Sequence, residues 1–343
     1  MEIALVGANG RVGTELCFLI RETEGLSVRP IVRNELGTLF LEYHDFECTV
    51  ADVSDPGDAQ RALGGVDVVV VAAFAWQYSN EGFEARGSRK ANEAIVTNSV
   101  RHAPEDAAVV YFSSQAAFGA DLGGTWSDWS LYTREKRNAE RLLFETCEET
   151  GTAGYVLRLG NVYGENQENT GRILDAIDGA EVIDVAADPD APTNVVHTVT
   201  VLDAVRRCGG GGVEPGRYSL VNRPEWTPRD VFDYYGGEDL TVRFHPHDDG
   251  SGLGSLVGRA WSAIEDRQDV LRTFTVFLPD SVNQFLFHQY LKSQRAGELS
   301  SLETGNRFEH HMFEVDPMPG ERVPGLERTE TLLAETDPVG VFR

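Results

Sequence analysis

The chain has 343 residues, and its 55 acidic residues outnumber its 30 lysines and arginines, so the formal net charge is −25. So negative a protein repels phosphate backbones and anionic lipid surfaces, which argues against nucleic-acid binding and membrane attachment. Only three basic residues are lysines, namely Lys90, Lys136 and Lys292. This composition favours a halophilic protein, kept soluble in concentrated salt that screens charge repulsion; an ordinary acidic protein is the alternative.

Length and hydrophobic content also bound the architecture. A 343-residue chain with 41% hydrophobic residues can build a sizeable core, and it predicts two domains. No apolar run reaches the roughly 18 residues that a membrane-spanning helix needs, and the first residues lack the features of a signal peptide. The four cysteines are far apart, as in proteins of a reducing compartment, so we expect a cytoplasmic location.

The first 160 residues alternate between strand and helix signals. Short apolar runs predict strands, and apolar residues at helical spacing predict helices. The predicted strands are Ile3–Val6, Leu26–Val32, Phe46–Val50, Val66–Ala73, Val109–Phe112 and Tyr155–Leu159, and the predicted helices are Arg11–Arg21, Phe83–His102 and Leu131–Thr150. This alternation predicts an α/β fold with a Rossmann-type, doubly wound parallel sheet.

The pattern loosens after about residue 165. The predicted helices there are Arg172–Ile177, Thr198–Arg207, Arg229–Tyr235, Leu253–Ile264 and Ser281–Gln294, and the predicted strands are Glu181–Val185, Arg217–Val221 and Thr241–Phe244. We predict a first domain over residues 1–165, to which a strand and a helix return around residues 195–222. Residues 166–343 then form a smaller α+β domain, whose last 40 residues are predicted to be irregular or partly mobile.

The sequence Gly7-Ala8-Asn9-Gly10-Arg11-Val12-Gly13 separates the first predicted strand from the first predicted helix. In a dinucleotide site the first glycine permits the tight turn, the second admits a pyrophosphate, and the third lets helix and strand pack closely. The helix N-terminus then attracts the anion. The spacing is one residue wider than GxGxxG, and it predicts an NAD(P)-binding domain, with a plain tight turn as the alternative.

The second predicted strand ends beside Arg33, where a carboxylate would bind the ribose 2′-hydroxyl and repel a 2′-phosphate. Arg33 and Arg11 instead favour NADP over NAD, although a solvated Arg33 is the alternative. Asp52 follows the third predicted strand. Its carboxylate is suited either to the adenine amine or to capping the next helix.

Tyr132 and Lys136 are four residues apart and therefore share one face of a predicted helix. A nearby ammonium lowers the pKa of a phenol, which can then exchange a proton with a carbonyl or carbinol oxygen. Ser114 ends a buried strand, at the edge of the sheet where ligands bind, and can hydrogen-bond the same oxygen. The alternative for Tyr132 and Lys136 is a surface pair on an amphipathic helix. The alternative for Ser114 is that it caps the end of the strand.

Taken together, these segments resemble the extended short-chain dehydrogenase/reductases of the NAD-dependent epimerase/dehydratase family, over roughly residues 1–240. The matching pieces are Gly7-x-x-Gly10-x-x-Gly13, Asp52, Asp67–Ala73, Asn92, Ser113–Gly119, Tyr132-x-x-x-Lys136-x-x-x-Glu140, Arg158–Gly164, Asn194–Asp203 and Tyr218–Asn222.

The resemblance implies a role for each residue of the site. Tyr132 would be the general acid/base, Lys136 would hold the nicotinamide ribose, and Ser114 and Asn161 would lie against the substrate. The cofactor-binding residues would be Gly7, Asn9, Gly10, Arg11, Val12, Gly13, Arg33, Asp52, Val53, Ala72, Ala73, Tyr132 and Lys136. The resemblance also implies a homodimer formed through the two long helices.

The leading hypothesis is an NAD(P)-dependent epimerase or 4-keto reductase that acts on a nucleotide-activated sugar. Gln115 and Ala116 stand where dehydratases of the family carry an Asp-Glu pair, which argues against dehydration. The alternatives are an NADPH-dependent carbonyl reductase of another small molecule and a non-catalytic NAD(P)-binding regulator; the intact Ser114, Tyr132 and Lys136 argue against the regulator. We predict no metal site, although histidines and aspartates cluster at residues 245–249 and 310–311.

Overall fold

A computed structural model of the chain describes residues 1–75, 78–79, 82–83, 85–122, 131–237, 240–245, 307–308, 316–336 and 338. The strands are β1 (Glu2–Val6), β2 (Ser27–Val32), β3 (Thr49–Val50), β4 (Val68–Val71), β5 (Tyr78–Ser79), β6 (Gly82–Phe83), β7 (Ala108–Ser114), β8 (Ala153–Leu159), β9 (Asn161–Tyr163), β10 (Val182–Val185), β11 (Val195–His197), β12 (Gly216–Leu220), β13 (Thr241–Phe244) and β14 (Arg307–Phe308). The helices are α1 (Arg11–Glu22), α2 (Leu39–Tyr43), α3 (Pro56–Ala62), α4 (Ala85–Arg101), α5 (Leu131–Thr150), α6 (Glu168–Ile177), α7 (Thr198–Gly209), α8 (Pro228–Gly236) and α9 (Thr329–Thr336), with 3₁₀ turns at Glu35–Gly37 and Gln115–Leu122.

Seven strands form one sheet in the order β12-β8-β7-β4-β1-β2-β3, and every neighbouring pair is parallel. The predicted doubly wound parallel sheet is therefore confirmed. The chain runs from β1 outward to β2 and β3, and then returns to β4 on the other side of β1. Ligands bind at such a reversal of strand order, beyond the carboxyl ends of the strands.

The four consecutive valines of β4 explain why the sheet has helices on both faces. Val68 and Val70 pack into the core on the side of α1 and α7, whereas Val69 and Val71 pack into the core beneath α3, α4 and α5. Side chains alternate between the two faces of a strand, so only an uninterrupted apolar run fills both cores. All four valines are at most 1% exposed.

The structure differs from the sequence-based expectation at several elements. The third strand is only Thr49–Val50, and the parallel pair of β9 and β11 was not predicted. The last 40 residues were expected to wrap irregularly or to be partly mobile; residues 316–328 do wrap irregularly, with Ser219 N donating to Glu321 O over 2.8 Å, whereas α9 is a helix that packs on α7. The segment around residues 321–322 therefore covers the edge of β12, whose backbone groups would otherwise be unpaired. The predicted helices Leu253–Ile264 and Ser281–Gln294 lie outside the described residues.

None of the helices in the described ranges is long and apolar enough to cross a membrane. The same ranges contain no group of three potential metal ligands. His245 is described, and it pairs with Asp184 at 2.7 Å, whereas most of the histidines and aspartates considered for a metal site lie outside these ranges.

One buried carboxylate ties α5 to three strands of the sheet. Glu140 is 1% exposed and accepts a hydrogen bond from Ser113 Oγ at 2.6 Å. It also accepts from Arg158 Nη2 at 2.7 Å and from Arg158 Nε at 2.8 Å. Arg217 Nε lies 2.8 Å from the same carboxylate. Because these partners belong to β7, β8 and β12, Glu140 fixes the position of α5, which carries Tyr132, over the sheet.

We expect Glu140→Gln to lower the free energy of unfolding by about 3 kcal/mol or more, because it leaves two arginine charges without their buried partner. The measurement is denaturant-induced unfolding. Glu145→Gln is the matched control, since Glu145 pairs with Arg141 on the exposed face of the same helix and should change stability little. Equal losses in the two variants would contradict this assignment.

Candidate active site

The residues predicted to form the site follow the carboxyl ends of neighbouring parallel strands. Gly7 follows β1, Arg33 follows β2, Ala72 follows β4, Ser114 ends β7, and Asn161 lies just beyond β8. The structure therefore brings them to one edge of the sheet, although they are far apart in the sequence. The candidate site therefore lies beyond the carboxyl ends of these strands.

The first glycine is required by its own backbone and by its neighbour. Gly7 has φ +86°, and a Cβ there would lie 2.7 Å from the backbone N and Cα of Ala73. Its N–H and that of Ala8 both donate to Ile31 O, at 3.0 and 3.2 Å. The glycine loop is thus joined to the ends of both β4 and β2.

The rest of the loop forms an open cradle at the start of α1. A Cβ on Gly13 would lie 2.3 Å from Gly7 O, so only glycine lets the helix pack onto the turn. Gly10 is the N-cap residue of α1, and it has no side chain that could bond the first N–H groups of the helix. Asn9, Gly10 and Arg11 are exposed. The N–H groups of the first helical turn have no partner inside the helix, and their dipoles favour an anion. This arrangement fits a pyrophosphate.

The two arginines considered for the 2′-phosphate are in different situations. Arg11 is 58% exposed at its side chain and lies 3.3 Å from Glu168 in an ion pair. Arg33 is exposed, and within the described part of the chain it makes no hydrogen bond or ion pair. Arg33 comes two residues after Ile31, which bonds the glycine loop, so it is the better candidate for the 2′-phosphate.

Asp52 does not cap the following helix. Its carboxylate accepts hydrogen bonds from Ser54 N at 3.0 Å and Ser54 Oγ at 2.7 Å. The cap of α3 is Asp55, which accepts from the backbone of Gly57 and Asp58. The capping alternative for Asp52 was therefore wrong, because the chain makes one more turn before the helix begins. Contact of Asp52 and the buried Val53 with adenine remains a prediction.

Ser114 and Tyr132 come together as the sequence predicts, and their side chains share a hydrogen bond. Burial raises the pKa of Tyr132, and the bond with Ser114 only partly opposes this shift. The sequence predicted that Lys136 would lower this pKa. The structure differs because Lys136 Nζ lies 5.8 Å from the centre of the Tyr132 ring and donates to Phe112 O at 2.9 Å.

Lys136 is a buried cation among aromatic rings. It is 5% exposed, and its Nζ lies 4.7 Å from the centre of the Phe74 ring and 4.8 Å from that of Tyr111. Burial lowers the pKa of Lys136 to about 7, although Glu140 and Glu135 act in the opposite direction. Both the charged and the neutral amine are therefore accessible near neutral pH.

Asn92 and Glu135 support the site; the family resemblance included Asn92 without a role, and sequence reasoning missed Glu135. Asn92 Oδ1 accepts from Ala75 N at 2.7 Å, and Asn92 Nδ2 donates to Ala75 O at 3.1 Å and to Glu135 Oε2 at 2.6 Å. The Phe74 ring lies 5.1 Å from that of Tyr132. Residues 72–75 are thus held between the glycine loop and α5. The only sequence signal for Glu135 is a charged residue on the same helix face as Tyr132.

A second buried carboxylate joins the glycine-loop helix to the chain after β9. Glu15 is fully buried on α1 and accepts from Thr198 Oγ1 at 2.6 Å, Glu165 N at 2.9 Å and Gln167 Nε2 at 2.7 Å. Burial raises the pKa of Glu15, and these hydrogen bonds oppose the shift. In the sequence alone, Glu15 is indistinguishable from an ordinary helical residue, because its partners are more than 140 positions away.

Asn161 is 2% exposed and is held from two sides. Its Nδ2 donates to Thr193 O at 2.8 Å, and its Oδ1 accepts from Gln115 Nε2. Gln115 directly follows Ser114, so the pair connects the predicted proton-transfer site with β9. Contact of Asn161 with the substrate remains a prediction.

Residues 7–187 match a family of NAD(P)H-binding proteins. The chain belongs to this NAD(P)H-binding family. The match begins at Gly7 and includes the glycine loop, the sheet strands from β2 to β8, and the segment that carries Tyr132 and Lys136.

Known relatives extend the comparison. A sugar epimerase of Bacillus subtilis (strain 168), YhfK, itself uncharacterized, is 25% identical over 186 residues, which are 52% of this chain and 79% of the relative. UDP-N-acetylglucosamine 4-epimerase from Bacillus cereus superposes with a TM-score of 0.52 at 17% identity, over 72% of this chain and 87% of the other. An L-threonine dehydrogenase from Cupriavidus necator gives 0.51 at 17% identity, over 72% and 86%. These solved structures share the predicted Rossmann-type fold, and the family match confirms the predicted NAD(P)-binding domain.

For this NAD(P)H-binding protein, we expect Arg33→Ala to weaken NADPH binding roughly ten-fold or more and to leave NADH binding nearly unchanged, because only NADPH carries the 2′-phosphate. The dissociation constants are measured by fluorescence titration. Arg101→Ala, which removes an exposed arginine of α4, is the control. Equal effects of Arg33→Ala on the two dinucleotides would contradict the assignment.

Proposed function

We propose that the chain is an NAD(P)-dependent epimerase or keto reductase of a nucleotide-activated sugar, with Tyr132 as the general acid/base. One observation carries this proposal: the hydrogen-bonded Ser114 and Tyr132 lie against Phe74, whose neighbour Ala73 touches Gly7 of the cofactor cradle. A proton donor and a dinucleotide cradle thus meet at one edge of the sheet. The named activities of YhfK and the Bacillus cereus 4-epimerase support the choice of substrate class.

The chain offers a surface for the whole dinucleotide. When bound, NADP or NAD supplies the hydride acceptor and donor. The backbone of the glycine loop would hold the pyrophosphate, and Arg33 supports a preference for NADP. The remaining groups that would hold the dinucleotide are Asn9, Arg11, Val12, Asp52, Val53, Ala72, Ala73 and Lys136.

The raised pKa of Tyr132 bears on the direction of proton transfer. A phenol with a raised pKa stays protonated near neutral pH, so it is ready to donate its proton to a carbonyl oxygen as that oxygen becomes a carbinol. Ser114 has a single proton, so on substrate binding its hydroxyl would turn from Tyr132 to donate to the same oxygen. In the opposite direction Tyr132 must first lose its proton, which burial opposes and the hydrogen bond with Ser114 favours.

Two further features of the molecule belong to the proposal. The helices α4 and α5 pack against each other, and the resemblance favours a homodimer formed through them. The lysine-poor, acidic composition supports adaptation to concentrated salt, and the charge pattern favours the cytoplasm over a membrane surface.

A reductase of another small carbonyl compound is the second candidate. The threonine dehydrogenase superposes nearly as well as the 4-epimerase, so the fold does not select between their substrates. The raised pKa of Tyr132 also fits an acid that serves ketone reduction alone.

Incubation with UDP-glucose or UDP-N-acetylglucosamine, with and without added NADPH, separates these reactions. We expect an epimerase to convert the sugar with no net consumption of dinucleotide, because the hydride returns to the substrate. A keto reductase instead consumes one NADPH for each 4-keto sugar that is reduced. Sugar products are measured by chromatography and NADPH by absorbance. No reaction with any nucleotide sugar, together with reduction of simple ketones, would overturn the first candidate.

We expect Tyr132→Phe to lower kcat by roughly 10²–10⁴-fold, which is the usual contribution of a general acid/base. Dinucleotide affinity and thermal stability should hardly change, because the ring and its contact with Phe74 remain. Tyr43→Phe is the control, since Tyr43 is 82% exposed on α2. Full turnover of Tyr132→Phe would show that another group transfers the proton.

A further inference from the structure

Beside Ser114 lies a buried amide whose oxygen accepts from no donor in the part of the chain that the structure describes. Gln115 opens the 3₁₀ turn that follows β7, and it is 2% exposed. Its Nε2 donates to Asn161 Oδ1, whereas its Oε1 is buried and has no hydrogen-bond partner among the described residues. Buried polar atoms without partners are few in folded proteins, and each is costly to keep.

The orientation of this amide is fixed by a chain of hydrogen bonds. Thr193 O can only accept, so the nitrogen of Asn161 must face it. The oxygen of Asn161 then faces Gln115, so the amide nitrogen of Gln115 must donate to it. An amide flip at either residue would set like atoms against each other. The atom left over on Gln115 is therefore an acceptor, and it requires a donor.

Gln115 follows the serine of the predicted proton-transfer pair directly in the chain. Ala116 N donates to Ser114 Oγ at 3.2 Å, so the turn that carries Gln115 is anchored to the serine that bonds Tyr132. Ser114 and Tyr132 keep part of their surface exposed. A substrate whose reacting oxygen meets Tyr132 and Ser114 therefore has its neighbouring groups near Gln115.

We infer that Gln115 is a substrate-binding residue whose Oε1 accepts a hydrogen bond from a sugar hydroxyl next to the reacting carbon. Asn161, whose amide is already engaged by Thr193 and Gln115, acts through Gln115 as a positioning residue. This inference rests on the proposed function and makes it more specific. It requires a substrate with a donor group at that place, which a simple ketone lacks.

The first test compares Gln115→Leu with the wild type, using UDP-glucose as the probe. We expect kcat/KM to fall roughly 10–100-fold, mainly through KM, because a buried hydrogen bond to the sugar is lost. The dinucleotide dissociation constant should stay within about two-fold. Gln60→Leu is the control, since Gln60 is exposed on α3. If Gln115→Leu does not fold, Gln115→Met keeps the side-chain length without the amide.

The second test identifies the donor and the role of Asn161. With UDP-sugars that lack one hydroxyl at a time, the effect of Gln115→Leu should vanish for the sugar that lacks the bonded hydroxyl. Asn161→Ala should raise KM in the wild type and have little further effect in the Gln115→Leu background, because coupled residues are not additive.

The outcomes separate this inference from the function on which it rests. If the wild type turns over no nucleotide sugar, the proposed function fails and the inference falls with it. If the wild type is active but Gln115→Leu has an unchanged KM, the inference alone is overturned. Equal losses with every deoxy sugar, or additive losses with Asn161→Ala, would also overturn it.

Discussion

The close approach of Gly7 to Ala73 is the contact on which the site depends. A Cβ at Gly7 would lie 2.7 Å from the backbone of Ala73, so the two strand ends meet only because glycine is there. Ala73 in turn leads into Phe74, which packs against Tyr132, and Asn92 holds the next residue in place. The cofactor cradle and the proton donor are thereby set at a fixed separation. A side chain at Gly7 would disturb both functions together.

Much of the fold could be predicted because its signals are local and periodic. The bounds of α5 and β13 match the sequence prediction, and the valines of β4 indicate a strand buried on both faces. The edge strand β3 is shorter than predicted because its ladder with β2 stops at Pro30, which has no N–H to donate. The pair β9 and β11 was missed, since three-residue strands carry too little periodicity.

The site could be predicted only where a motif records it. The glycine loop, Ser114, Tyr132 and Lys136 follow from spacing and order, and Asn92 was part of the family resemblance, whereas Glu15 and Glu135 are identified by what they contact. Such contacts join residues far apart in the chain, and no local pattern encodes them. The shift in the pKa of Tyr132 was misjudged for the same reason, because spacing reveals a neighbouring charge but not the depth of burial.

The excess of acid over base therefore has two parts that act differently. Most carboxylates of the described residues are at least partly solvated, but Glu15, Glu135 and Glu140 are at most 5% exposed and each bonds a different element to the site. Lys136 is the buried cation that faces two of them, and burial brings its pKa to about 7. An arginine there would stay charged and would need room for a planar fork of donors. The compact amine of lysine, whose pKa burial can lower, therefore suits this buried position better than arginine, in a chain that has only three lysines.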